Sequence, residues 1–231
     1  DMIEITRGVT AAKGFQAAVT AAEIKYKNRT DMAMIYSEVP CRAAGTFTPN
    51  VVKAAPVRWD QDIVYNKPFA QAVICNSGIA NACTGAEGFG YCSETADAAA
   101  EALGIPAESV LVASTGVIGM QLPIQKLAAG VKAMVPKLSG TIEAGTEASR
   151  AIMTTDTLNK QVAVEIEIGG KTVTVGGMCK GSGMIHPNMC TMLGFVTTDC
   201  CISKELLQEA LSEDVKDTYN IDQGKFFVSS D

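Results

Sequence analysis

His186 is the only histidine among the 231 residues. Any Ser-His-Asp or Cys-His mechanism would have to use it. It precedes Pro187, which biases its backbone to extended or turn geometry, and we read it as structural. An acyl-transfer enzyme built on this chain would then take its base from elsewhere. One chemical solution is a threonine at a chain N-terminus, whose own α-amine accepts the proton. Such an amine has a pKa of about 8, so it can act near neutral pH.

Three segments carry small residues in patterns that chemistry can use. Residues 76–85 follow a strand and include Asn76, Ser77, Asn81 and Thr84. Either these side chains bond their own backbone in a turn, or the segment binds something. Residues 113–119 also follow a strand and include Ser114, Thr115, Gly116 and Gly119. Small residues there leave N–H groups able to hold a developing oxyanion, each worth about 3 kcal/mol of barrier. Residues 176–191 are glycine-rich and read as a third loop, running up to Cys190 and Thr191. Lys180 sits among those glycines and not on an amphipathic face. It is either a solvated charge or a group that positions a ligand. The run from Thr154 to Thr157 follows a helix and reads as a helix end or cap.

Two apparent motifs fail on inspection. Gly170-Lys171-Thr172 ends like a phosphate loop, but Glu165 stands where the first glycine belongs, and the triplet lies in a hairpin. Gly181-Ser182-Gly183 has Lys180 where a nucleophile elbow needs glycine.

The elements that must position these residues follow from periodicity. Strands are expected at 32–39, 71–75, 109–113 and 192–197. Alternating runs at 161–168 and 171–176 flank Gly169-Gly170, a two-residue hairpin signal. The helical period predicts helices at 94–103, with Ser93 as N-cap and Gly104 as stop, and at 123–135, starting on Pro123. Further helices are expected at 141–151 and 202–218. In the last, Ile202, Leu206, Leu207, Ala210, Leu211 and Val215 share a face. The mixture predicts a layered α/β or α+β protein.

Composition excludes several classes. The net charge is −6, so no basic face for nucleic acid is expected. No apolar run reaches the roughly 18 residues a membrane span needs. No secretory signal is evident at the start. The eight cysteines show no C-x-x-C spacing, and they read as reduced thiols of a cytoplasmic protein, not as disulfides or a zinc site.

Taken together, residues 8–15, 76–85, 113–119, 152–157, 180–189 and 191–195 resemble, in order, the motifs of the ornithine acetyltransferase family, also called glutamate N-acetyltransferase. The resemblance covers about residues 8–220. It implies a layered α/β sandwich of the N-terminal-nucleophile type, with the ornithine acetyltransferase and aminopeptidase-like fold. It implies self-cleavage between Cys190 and Thr191, giving an α chain of residues 1–190 and a β chain starting at 191–231. Thr191 would then take an acetyl group from N2-acetylornithine and pass it to glutamate, a step of arginine biosynthesis. Some members also use acetyl-CoA. No metal or prosthetic group is implied. The implied assembly is an α2β2 heterotetramer, cytoplasmic, or mitochondrial in a eukaryote. By the same resemblance, Thr115 and Gly116 form the oxyanion hole, and Thr157, Lys180 and Thr191 contact substrate.

Two features depart from the family pattern. Position 190 is usually alanine and here is Cys190, which also offers a rival nucleophile. Residues 221–231 match nothing expected, and the family's further β-chain residues are not in this sequence. The alternatives are therefore an inactive fragment or subunit of such an enzyme, or a related N-terminal-nucleophile aminopeptidase.

Overall fold

The computed structural model describes residues 1–181 and 192–218, together with the backbone of 229–230. Nine strands and five α-helices are present among them: β1 (Met2–Ile5), β2 (Phe15–Thr20), β3 (Met32–Cys41), α1 (Ala55–Asn66), β4 (Ala70–Asn76), α2 (Glu87–Leu103), β5 (Val110–Ser114), α3 (Ile124–Met134), α4 (Ile142–Ala151), β6 (Lys160–Ile168), β7 (Lys171–Lys180), β8 (Leu193–Thr198), α5 (Lys204–Thr218) and β9 (Ser229–Ser230).

Two sheets organise the chain. One has the order β2-β3-β4-β5, the other β1-β6-β7-β8-β9. Within the first, β3 is antiparallel to both β2 and β4, whereas β4 and β5 run parallel. Alternation along β3 explains the layering, because successive side chains face opposite ways. Ala33 and Ile35 join Met178 and Phe195 of the other sheet, with Ala148 and Ile152 at α4. Met32 and Met34 join Leu127, Val131 and Met134 of α3 and Ala96 and Ala99 of α2. The layers are thus helices α2 and α3, the four-stranded sheet and the five-stranded sheet. This is the layered α+β sandwich expected.

Helix α1 covers the free edge of β5. The Trp59 indole donates to the Val110 carbonyl at 2.9 Å, and the Asp60 carboxyl accepts the Val112 N–H at 2.9 Å. Both strand groups point away from β4 and would otherwise lack a partner.

Several boundaries differ from the sequence reading. Helix α2 starts at Glu87, not at 94, so Ser93 lies within it and is no cap; Gly104 does end it, at φ +69°. Strand β7 continues through Gly176 and Gly177 to Lys180. A side chain at Gly176 would collide with the Gly8 carbonyl, so this glycine serves close packing inside a strand. Lys180 consequently ends a strand and does not lie in a loop. On α5 only Val215 is buried, while Leu206 and Ala210 of the expected face are exposed. The helix is tied down instead by Gln208, whose amide exchanges two 3.0 Å hydrogen bonds with the backbone of Gly45. Strands β1 and β2 and helix α1 were not expected at all. No disulfide joins two of the described cysteines, and no described helix is long and apolar enough to cross a membrane.

Candidate active site

Parallel strands β4 and β5 end side by side, with Asn76 opposite Ser114. The loops that leave them therefore start as neighbours, and they are laced together. Thr115 N–H donates to Asn76 O at 3.0 Å, Val117 N–H to Gly78 O at 3.1 Å, and Ala80 N–H to Val117 O at 2.9 Å. Gly116 sits at φ +135°, and any Cβ there would overlap the Gly78 carbonyl and lie 2.7 Å from Ile79 N. Only glycine permits this approach.

The polar side chains of the 76–85 loop are spent on bracing it. Asn76 donates to Ile79 O at 2.9 Å, Ser77 to Ala151 O at 2.8 Å, Asn81 to Gly88 O at 2.7 Å, and Thr84 to Asn81 at 2.7 Å. All four residues are buried. Of the two readings the sequence left open, these contacts favour the self-bonded loop.

The second loop keeps chemistry available. Thr115 commits its N–H to Asn76, but its hydroxyl accepts the Lys180 ammonium at 2.8 Å. Among the described residues, the Gly116 N–H makes no hydrogen bond. Lys180 crosses from the five-stranded sheet to reach Thr115 and is only 5% exposed. Burial lowers its pKa from the usual lysine value, against the pull of Asp156 and Cys75.

Asp156 anchors the approach to this pair. Its carboxylate accepts Lys160 Nζ at 2.7 Å and the Gly181 N–H at 2.9 Å. Burial alone would raise its pKa, but the Lys160 and Gly181 hydrogen bonds outweigh that and hold it below the usual aspartate value. Behind Lys180, the buried Cys75 thiol is pushed up to about 12 by desolvation, and Cys92 likewise to about 12. Neither thiol is a nucleophile at neutral pH.

These groups open on a cavity of about 920 Å³ whose walls include Asp60, Thr115, Gly116, Thr154, Lys180 and Met192. The Asp60 carboxyl is raised well above the usual aspartate value by desolvation, which the Val112 hydrogen bond only partly offsets. Among the expected site residues, Thr115, Gly116 and Lys180 come together here. Thr157 is exposed and absent from the walls, whereas Thr154 and Thr155 belong to them. Thr191, Cys190 and His186 lie outside the described residues. Their flanks do not: Lys180 pairs with Leu193 across β7 and β8, and Gly181, Met192 and Leu193 all line the cavity. Asp156, Asp60 and the loop residues Lys25, Tyr26 and Arg29 were not singled out from sequence. Asp156 was hidden in a run read as a helix end, and Asp60 in a helix that went unread. Among the described residues, no group of three or more His, Cys, Asp or Glu side chains could hold a metal.

Two sheets layered with helices, and a cavity lined by β5, by Lys180 at the end of β7 and by Leu193 at the start of β8, describe an architecture of the N-terminal-nucleophile type. An aminopeptidase from Ochrobactrum anthropi, described as a new variant of the Ntn-hydrolase fold, matches with a TM-score of 0.56 over 97% of this chain and 73% of its own; at 12% identity this shows the fold alone. The ArgJ family model matches residues 16–223, and the chain belongs to that family. It is 52% identical over 216 residues to the arginine biosynthesis bifunctional protein ArgJ of Symbiobacterium thermophilum, covering 93% of this chain and 53% of the relative. The crystal structure of ornithine acetyltransferase from Mycobacterium tuberculosis, complexed with ornithine, matches with a TM-score of 0.73 at 46% identity, over 80% of this chain and 97% of that one. The chain spans about half the length of the curated relatives it matches.

Proposed function

We propose that this chain carries the nucleophile and oxyanion site of an ornithine acetyltransferase, which moves an acetyl group from N2-acetylornithine to glutamate. The observation that carries this reading is the Lys180–Thr115 hydrogen bond at 2.8 Å beside the Gly116 N–H, which has no partner among the described residues. Because the Thr115 N–H is already used, the oxyanion donors would be the Thr115 hydroxyl and the Gly116 N–H. Lys180 fills a lone pair of that hydroxyl, which turns its proton outward. The ammonium also adds positive charge where the oxyanion develops.

Hydrolysis of the Cys190–Thr191 bond, in which water takes the Cys190 acyl group as a carboxylate, frees the Thr191 amine. That amine takes the proton of its own hydroxyl as the oxygen attacks the acetyl carbonyl. The tetrahedral oxyanion collapses, the C–N bond breaks, and the proton passes to the departing ornithine nitrogen. The amine of glutamate then attacks the acetyl-threonine, and Thr191 recovers its proton. An acetyl thioester such as acetyl-CoA would be a second donor of the same reactivity. Lys180 and the 154–157 turn would hold the substrate, and an α2β2 assembly would complete the enzyme.

Intact mass tests the reading. Cleavage gives pieces of 190 and 41 residues, and N-acetylornithine adds one acetyl group to the smaller piece. Thr191→Ala should abolish both events. An uncut chain that N-acetylornithine never acetylates would refute the proposal.

A further inference from the structure

The loop between β2 and β3 is built with more care than a connection needs. Asp31, 2% exposed, accepts the Ala22 and Ile24 N–H groups at 2.7 Å each. Its carbonyl accepts Ser77 N–H at 2.8 Å, and Lys126 holds the Glu23 carbonyl at 2.6 Å. Glu23 and Asn28 take φ of +55° and +56°; asparagine adopts this region readily, but glutamate keeps it where surrounding contacts impose it.

What the loop presents is positive charge. Lys25 Nζ lies 4.9 Å from the centre of the Tyr26 ring, and the Arg29 guanidinium 5.9 Å from it. Arg29 also donates to Met153 O at 2.6 Å, next to Thr154. Lys25 packs on the active-site loop, since a Cβ on Gly78 would lie 3.3 Å from its Cβ. Lys25, Tyr26 and Arg29 all line the same cavity as Lys180. Among the described residues, neither Lys25 nor Arg29 has a carboxylate within ion-pair distance. Asp60 is the only acid on the described walls, and its carboxyl is turned to the Val112 N–H. The cavity thus carries two cations at its rim, Lys25 and Arg29, without a carboxylate in ion-pair reach among the described residues, whereas Lys180 has Asp156 nearby.

We propose that Lys25 and Arg29, set by Tyr26, receive the side-chain carboxylate of an acidic amino acid as acyl acceptor and so determine acceptor specificity. This rests on the acetyltransferase reading and names the residues that would distinguish glutamate from glutamine. One anionic group faces Lys180 and the other faces the rim. A neutral amide at the rim leaves both cations without a counter-charge.

The test uses the protein as it is naturally made, with Lys25→Gln and Arg29→Gln variants. Glutamate and glutamine are compared as acceptors. The wild type should prefer glutamate, and each variant should cut that preference about tenfold, chiefly through the KM for glutamate. Added salt should weaken the wild-type preference. The proposal fails if the preference is unchanged, if both acceptors suffer alike, or if the loss is confined to a phosphate-bearing CoA thioester donor. Acetyl-enzyme formation from N-acetylornithine reports separately on the acetyltransferase reading. If that step is absent, calorimetric binding of glutarate against its monoamide, in wild type and Lys25→Gln, still decides the rim. Equal binding of the two by wild type overturns it.

Discussion

A buried ammonium needs a partner, and Lys180 has Thr115. Thr115→Val keeps the shape but removes the acceptor. We expect it to destabilise the protein by about 1–3 kcal/mol in urea unfolding and to lower kcat by about 10²–10³. Thr115→Ser should restore most of both. Gly116→Ala places a methyl against the Gly78 carbonyl; separating the two loops should cost about 1–3 kcal/mol and end acyl transfer. Thr155→Ala and Thr157→Ala can be compared directly. Since Thr155 lines the cavity and Thr157 does not, we expect the larger rise in donor KM from Thr155→Ala. At this scale the sequence was legible where a residue type has one use. Thr115 and Gly116 stood out as small residues after a strand, and Lys180 as a charge among glycines. Asp60, Asp156, Lys25 and Arg29 were not legible, because their roles depend on partners far away in the chain, such as Val112 for Asp60 and Met153 for Arg29.

Elements were most readable where local chemistry dictates them. The β6–β7 hairpin turns on Gly169 and Gly170 at φ +58° and +76°, with open space around both. Gly170→Val should therefore cost about 1–2 kcal/mol through backbone conformation alone, measured as a lower melting temperature, while Gly170→Asn should be milder. Thr141 accepts the Ala144 N–H and caps α4, and Ser203 accepts the Leu206 N–H at 3.2 Å at the start of α5. The start of α2 was missed because Gly88 and Gly90 weaken the helical signal over its first turns. β2 is rich in alanine and lacks the bulky β-branched pattern that marks a strand, yet it is held on both sides by β3 and α4. Burial on α5 was overestimated because periodicity counts apolar residues but cannot say what covers them.

At the scale of the molecule, two acids pull stability in opposite directions with pH. The Asp60 pKa is raised above 3.8, so its contribution is complete below that value and is lost as pH rises through the folded pKa. The Asp156 pKa is lowered, so its contribution is complete above 3.8 and is lost as pH falls through the folded pKa. Asp60→Asn retains a carbonyl for Val112 and cannot ionise. Its stability relative to wild type should rise as pH increases from 4, and urea midpoints across pH would show this; a flat difference would contradict it. The same side chain has a consequence beyond one molecule. The last strand of a sheet is a template on which a strand from another chain can grow. At β5 the Trp59 indole and the Asp60 carboxyl occupy the rungs such a strand would use. Helix α1 therefore acts as a guard against edge-to-edge aggregation. Its loosening would bare the Val110 carbonyl and the Val112 N–H to a strand from another chain.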